Sequence, residues 1–152
     1  MAGQIFNADG IKFPATQVPS SNANILDDYE EGTWTPVCNR SEGAITAVYE
    51  AQVGKYTKIG NVVIASAIVT ITSVSAQGTG NARITGLPYN PADNYLGAGS
   101  VSRNTALDTG VANSCSVWSN GDVNFFAPVN SASEIAVDWK QGYLIFTLIY
   151  FV

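Results

Sequence analysis

The stretch Asn61–Thr72, NVVIASAIVTIT, carries the clearest secondary-structure signal in the chain. Its odd-numbered residues from Val63 to Ile71 are all apolar, whereas the even-numbered residues from Ile64 to Thr70 mix Ile with Ser and Thr. Alternation with a period of two is typical of a β-strand that has one face in the core. The stretch therefore predicts a long strand, and no part of the chain shows a convincing helical stripe.

The run Tyr143–Val152, YLIFTLIYFV, is apolar on both faces of a strand. A strand with one face in water would carry polar residues on that face. Because this run does not, we expect either a second layer of the same chain or a neighbouring subunit to cover it. The run is too short to cross a bilayer as a helix, so we expect no membrane insertion.

Further β-rich runs are separated by Gly and Pro, which are typical of turns. Residues 115–126, CSVWSNGDVNFF, place Asn120 and Gly121 between two such runs, the strongest short signal for a hairpin. Shorter strand candidates are Thr33–Asn39, Ile45–Glu50, Ala82–Thr85, Gly99–Arg103 and Glu134–Trp139. About eight to ten short strands predict an all-β domain over residues 26–152, a single antiparallel β-sandwich of the jelly-roll type.

Residues 1–25 differ in composition from the rest of the chain. They are rich in Asn, Ser, Pro and Ala and show neither the strand period nor the helix period. This composition predicts an extended N-terminal arm rather than a domain. The apolar residues of the arm are too few for a core but suit docking along a partner: Ile5, Phe6, Ile11 and Phe13.

Length and charge restrict the classes of function. A chain of 152 residues is most simply one domain. Its net charge is −5, and its seven Lys and Arg residues are spread along the sequence. Because binding to phosphates needs clustered cations, we expect no nucleic-acid partner. The first residues, MAGQIFNADG, have neither a basic region nor an apolar run, so we expect no secretory signal.

Several kinds of catalytic and cofactor sites are excluded or unsupported. The chain has no histidine, which excludes Ser-His-Asp and Cys-His catalysis. It also has no glycine-rich motif for binding nucleotides. Cys38 and Cys115 lie far apart, outside any zinc-binding pattern, and we expect them to be free, buried thiols. We therefore expect no cofactor.

The stretch Leu26–Pro36, LDDYEEGTWTP, which we call the acidic motif, holds four carboxylates: Asp27, Asp28, Glu30 and Glu31. Two carboxylates that flank a glycosidic bond can hydrolyse it, and calcium is bound by six to eight oxygens. Adjacency in sequence, however, does not place carboxylates across a substrate, and the EF-hand spacing is missing. We therefore expect no bound metal. We expect the carboxylates to be exposed, to cap turn amides or pair with cations, and to contribute little to stability.

Aromatic residues near the turns allow two interpretations. Trp34 alternates with two threonines, which predicts that it packs inward at the first strand; Tyr29 and Trp34 could instead anchor a bound surface. Trp118, Phe125 and Phe126 lie beside the Asn-Gly hairpin. We expect them to pack in the core, and a surface on which sugars stack is the alternative.

Three segments together resemble a module of bacteriophage tail fibres. They are GIKFPATQ at residues 10–17, the acidic motif, and YTKIGNVV at residues 56–63. The resemblance covers residues 9–72 well and the last strand loosely. Residues 73–142 resemble nothing that we can name, as expected for a variable region that faces outward.

The resemblance implies a homotrimeric β-sandwich on the virion surface, assembled in the cytoplasm of the bacterial host and without enzyme activity. It also implies a structural role for the acidic motif, at the point where the chain enters the sandwich. In this role Trp34 is the first core anchor, and the residues of the motif that matter are Asp28, Tyr29, Glu30, Glu31 and Trp34.

The point of attachment stays open. In tail fibres an adaptor and a shaft normally precede such a module, whereas only residues 1–8 do so here. This favours a small virion protein, a capsid decoration (cement) protein that binds the major capsid protein through its arm. The alternative is the tip module of a tail fibre or head fibre, attached to the tail or fibre base and binding the host, with a surface glycan as candidate ligand. An enzyme acting on surface polysaccharide is disfavoured, because the usual elongated catalytic scaffold does not fit in 152 residues.

Overall fold

The described part of the chain folds into β-strands joined by turns and loops. A computed structural model describes residues 5–7, 10–93, 97–107, 112–126 and 138–152. The strands are β1 (Ile5–Asn7), β2 (Gly10–Lys12), β3 (Tyr29–Trp34), β4 (Val37–Glu42), β5 (Thr46–Ile59), β6 (Val62–Ala76), β7 (Thr79–Thr85), β8 (Gly97–Asn104), β9 (Ser114–Val117), β10 (Val123–Phe126) and β11 (Gly142–Phe151). Among the described residues there is no helix of the length and apolarity needed to cross a membrane.

Nine of the described strands form one antiparallel sheet, in the order β3-β5-β6-β11-β8-β9-β10-β7-β4, and β1 and β2 form a separate two-stranded sheet. The all-β class is therefore confirmed. Strands β3 and β4 lie at opposite ends of the sheet, yet only Thr35 and Pro36 separate them along the chain. The sheet must therefore curl until its two ends meet at this corner. The result is a curled half-barrel, not the two separate sheets of a jelly-roll sandwich.

The hydrophobic core lies between the two halves of the curled sheet. Phe125 on β10 and Phe146 on β11 belong to strands that do not pair, yet their ring centroids are 5.6 Å apart. Trp139 packs edge-on against Phe125, with the ring centroids 6.3 Å apart. Of the aromatics beside the hairpin, Phe125 is fully buried, whereas Trp118 and Phe126 are half-buried. Trp118 lies under the guanidinium of Arg83, at 5.3 Å from the ring centroid.

The two strands with the strongest sequence signals lie side by side. The residues from Val63 to Ile71 that were expected to face inward on β6 are all buried. On β11 the even-numbered residues from Leu144 to Tyr150 are buried as well. The other face of β11 is exposed in the single chain, with Tyr143 at 41% and Ile149 at 49% of full exposure.

The predicted hairpin joins β9 to β10, which pair antiparallel from Val117 opposite Val123. Its turn differs in detail from the prediction. The Gly121 N–H donates to the Trp118 carbonyl at 2.8 Å, so Ser119 and Asn120 are the central residues. Gly121 follows them with a φ of 81°, a left-handed conformation that glycine adopts without a steric penalty.

Two strand predictions differ most from the structure, and a third lies mostly outside the described residues. The segment Thr33–Asn39 is divided between β3 and β4, because the chain turns a corner at Pro36, which has no N–H to donate. Strand β5 continues to Ile59, well beyond the predicted Ile45–Glu50. In the candidate Glu134–Trp139, residues 134–137 lie outside the described ranges, and Trp139 forms an isolated bridge with Leu107.

Both cysteines are free and buried. Cys38 lies on β4 and Cys115 on β9, and these strands are not neighbours in the sheet. Burial raises the pKa of each thiol to about 12. Neither thiol therefore has the character of a reactive nucleophile.

Candidate functional site

The acidic motif forms β3 and pairs with the second half of β5. The residues of β3 that face inward are half-buried or buried, and those that face outward are exposed. The inward pairs across the two strands are Glu30 with Lys58, Gly32 with Tyr56, and Trp34 with Gly54. The inward face of this half of β5 therefore carries Gly, Tyr and Lys instead of aliphatic residues. For this reason the sequence shows no apolar alternation from which this half of the strand could be predicted.

Two glycines make room for the large rings of the opposite strand. A Cβ atom at Gly54 would lie 2.5 Å from Nε1 of Trp34, and one at Gly32 would lie 2.5 Å from the ring of Tyr56. Real side chains do not approach this closely, so each ring needs a glycine opposite it. Trp34 is consequently buried, and its ring centroid lies 6.3 Å from that of Phe146 in an edge contact.

Asp28 forms a buried ion pair with Lys58. The side chain of Lys58 is 6% exposed and that of Asp28 is 12% exposed. Lys58 Nζ also donates to the Gly60 carbonyl at 2.7 Å, and the Gly60 N–H donates to the Asp28 carbonyl at 2.9 Å. The expectation that this carboxylate is exposed was wrong, because β5 places a cation directly beneath the motif.

Glu30 accepts hydrogen bonds from two tyrosines, Tyr56 to Oε1 and Tyr89 to Oε2. These two bonds, the one from Tyr56 first, hold the pKa of Glu30 below its usual range. The pKa values of the two tyrosines that donate these bonds are shifted in the opposite direction. The bond to Glu30 raises the pKa of Tyr56, and burial followed by the same carboxylate raises the pKa of Tyr89.

The lowered pKa of Glu30 predicts a loss of stability in acid. A carboxylate with a depressed folded pKa stabilises the fold above its unfolded pKa, about 4.3 for Glu, and this contribution disappears as the pH falls through the folded pKa. We expect the melting temperature of Glu30→Gln to fall less steeply between pH 7 and pH 3 than that of the wild type. Tyr89→Phe should change the slope in the same direction. Identical acid profiles for all three proteins would contradict the prediction.

The outward carboxylates of the motif also have donors. Tyr29 donates its hydroxyl hydrogen to Glu31 on the exposed side of β3. Asp27 accepts the Ser20 N–H at 2.7 Å and the Gln17 side chain at 3.4 Å. The Ser20 N–H is the main reason why the pKa of Asp27 is lowered. Asp27 thereby ties the arm to the first strand of the sheet.

Within the described residues the arm contains two short paired strands and then passes beside the acidic motif. Ile5 and Phe6 belong to β1 and pair with Lys12 and Ile11 of β2; the side chains of β1 lie outside the description. Ile11 is 53% exposed. The next apolar residue, Phe13, is half-buried with its ring centroid 5.8 Å from that of Tyr29.

A cleft of about 860 Å³ lies between the arm and the acidic motif. Its walls include Phe13, Gln17, Asp28, Tyr29, Glu30 and Tyr89. Each carboxylate of this cleft already accepts a hydrogen bond from the chain itself. No group of three or more side chains that could hold a metal ion occurs within the described ranges. The side chains of the cleft therefore form a hydrogen-bonded network that holds β3 in place.

The three residues whose side chains bind Asp28 and Glu30 were not singled out from the sequence. Tyr56 and Lys58 lie within the YTKIG segment that carries part of the resemblance, so a signal for them existed. The sequence contains no such signal for Tyr89, because this residue reaches Glu30 from a loop that is distant in sequence.

The comparisons with known proteins concern the fold. No known protein family and no curated protein matches the chain. Among solved structures, the crystal structure of the Dettilon tailspike protein (gp208) is similar, with a TM-score of 0.61 and 19% sequence identity. The match covers 80% of this chain and 23% of the tailspike chain. The chain thus spans less than a quarter of that protein, with which it shares an antiparallel β fold.

Proposed function

We propose that this chain is a structural module of the bacteriophage virion surface, of the tail-fibre or tailspike kind. The observation that carries the proposal is the likeness of its curled sheet to part of a tailspike protein. The resemblance of the acidic motif to tail-fibre sequences supports it separately, because that resemblance rests on sequence and not on the fold.

We further propose that the module has no enzyme activity. A glycosidase needs a general acid whose pKa is raised, so that it is protonated near neutral pH. In the cleft beside the arm the pKa of Glu30 is shifted in the opposite direction. Asp28 is neutralised by Lys58, and Glu31 is bonded to Tyr29. These contacts favour a structural role for the carboxylates.

A second candidate is a capsid decoration protein that binds the major capsid protein through its arm. The observation that favours it is the exposure of apolar residues on the arm, 53% for Ile11 and 67% for Val18. Apolar side chains of this kind are available for docking on another virion protein. In the tail-fibre proposal the same residues attach the module to the tail or fibre base, and a host-surface glycan is the candidate ligand.

We also propose that the module is a homotrimer. Its support is the exposed apolar face of β11, where Ile149 and Phe151 are 49% and 43% exposed. Contiguous apolar surface of this kind commonly marks a site of association.

Locating the protein on phage particles tests the virion role. We expect gold-labelled antibodies against the chain to mark the tail in electron micrographs, and quantitative mass spectrometry of particles to find few copies. Particles from a phage lacking the gene are the control for antibody specificity. Dense label over the head would favour the decoration protein instead. Absence of the chain from purified particles would reject both virion roles.

A further inference from the structure

The turn between β9 and β10 contains the dipeptide Asn120-Gly121, and the sequence has no other Asn-Gly pair. In such a pair the backbone nitrogen of the glycine can attack Cγ of the asparagine side chain. Glycine favours this attack because it has no Cβ to hinder the approach and its backbone is conformationally free. This pair therefore has the strongest intrinsic tendency to deamidate in the chain.

The reaction needs only water. A bond forms between the Gly121 nitrogen and Cγ of Asn120, and the side-chain nitrogen of Asn120 leaves as ammonia, which carries away the proton of the Gly121 amide. Water then adds to a carbonyl carbon of the cyclic imide and breaks the bond from that carbon to the ring nitrogen, which takes up a proton. Addition at Cγ gives aspartate, and addition at the backbone carbonyl gives isoaspartate. Nothing is oxidised or reduced, and the new carboxylic acid ionises at neutral pH.

The folded turn engages both reacting groups in other bonds. The Gly121 N–H donates to the Trp118 carbonyl at 2.8 Å, so the attacking nitrogen cannot give up its proton while this bond lasts. The Asn120 side chain is held by Asp122 at both ends. Its Nδ2 donates to Oδ2 of Asp122 at 2.8 Å, and its Oδ1 accepts the backbone N–H of Asp122 at 3.1 Å. Cγ of Asn120 is therefore not free to turn towards the glycine nitrogen.

Neighbouring segments anchor the turn. Nη1 of Arg83 on β7 lies 2.6 Å from the same Oδ2 of Asp122, and the two side chains are only 14% and 16% exposed. The Arg83 guanidinium also covers the ring of Trp118. On the other side, Gly121 is buried, and a Cβ atom there would lie 2.7 Å from Oδ1 of Asn90. The turn can therefore open only when these contacts break.

The products of deamidation do not fit the closed turn. The Nδ2 donor of Asn120 would be replaced by a carboxylate oxygen beside the carboxylate of Asp122. Two like charges at this distance repel each other. Isoaspartate in addition lengthens the backbone between the two residues that close the turn, Trp118 and Gly121. Either product therefore favours the open turn over the closed one.

We propose that Asn120 is a deamidation site that the fold controls. The site is protected while the β9–β10 turn is closed, chiefly by the bonds from its side chain to Asp122. It reacts when the hairpin opens locally, which native proteins do without unfolding as a whole. The ammonia is lost to solvent, so each reaction changes the turn permanently. This proposal is independent of the proposed function.

Peptide mapping by mass spectrometry, on the full chain incubated in mildly alkaline buffer, tests the protection. We expect Asn120 to deamidate at least about tenfold more slowly in the folded chain than in the same chain unfolded in guanidinium chloride. An opening that costs about 1.4 kcal/mol already reduces the open population tenfold. Equal rates in the folded and the unfolded chain would overturn the proposal.

Two variants separate the contact with Asn120 from the anchoring of the turn. Asp122→Ala removes both the ion pair with Arg83 and the acceptor of the Asn120 side chain. Arg83→Gln is the matched control, because it removes the same ion pair but leaves Asp122 to hold Asn120. With both variants shown by circular dichroism to be folded, we expect Asp122→Ala to deamidate several-fold faster than Arg83→Gln. Equal rates in the two variants would contradict the role of the Asp122 side chain.

The variant Asn120→Asp tests the consequence of the reaction, because it carries the charge of the product. We expect its melting temperature to lie below that of the wild type at low ionic strength. The difference should shrink as salt is added, since salt screens the repulsion between exposed charges. A melting temperature equal to or above that of the wild type would contradict the weakening of the turn.

Discussion

Replacing Trp34 with alanine is expected to lower the free energy of unfolding by about 3–5 kcal/mol, the usual cost of deleting a large buried aromatic side chain. Trp34 is only 7% exposed and packs on the backbone of Gly54 and the ring of Phe146. It lies at the corner where the two ends of the sheet meet. A cavity there is difficult to fill, because Gly54 has no side chain that could move into it.

Thermal unfolding measures this effect. For a domain of this size about 1 kcal/mol corresponds to roughly 2–4 °C in melting temperature, so we expect a decrease of roughly 6–20 °C. Thr33→Ala is the control, since Thr33 is the exposed neighbour on the same strand. Its change should stay within about 0.5 kcal/mol. A Trp34→Ala protein as stable as the wild type would assign the ring to a binding surface.

Asp28→Asn is expected to destabilise the fold by about 3 kcal/mol, near the lower limit for breaking a buried ion pair. The substitution keeps the shape of the side chain but leaves the buried ammonium of Lys58 without its carboxylate. The Gly60 carbonyl would remain as an acceptor for Lys58, but it carries no full charge. An uncompensated charge in the core is costly because the interior solvates it poorly.

Glu31→Gln is the matched control, because Glu31 belongs to the same motif but is exposed. Exposed pairs contribute about 0–1 kcal/mol, so its melting temperature should change little. Both variants and the wild type should be melted in calcium and in EDTA. Equal, small effects of the two substitutions would contradict the importance of the ion pair. A calcium-dependent shift that Asp28→Asn abolishes would make the motif a metal site.

The strand pattern shows how far local sequence predicts this fold. Strand β6 and the buried face of β11 could be identified because their inward residues are aliphatic and alternate along one strand. The second half of β5 could not, since its inward residues are Gly54, Tyr56 and Lys58. Their burial depends on residues of β3, with which they pair only in the folded chain. The same reason explains why Asp28 was expected to be exposed.

The sequence by itself determined that the chain is all-β, where its strongest strands and its β9–β10 hairpin lie, and that histidine-dependent catalysis is excluded. These properties depend on residue types and on spacings within one segment. Only the tertiary structure decided that the sheet curls into a single half-barrel, that Asp28 is buried against Lys58, and that Glu30 joins Tyr56 to Tyr89. These contacts join residues 26–59 positions apart. The pairing register of distant strands sets them, and no local pattern encodes that register.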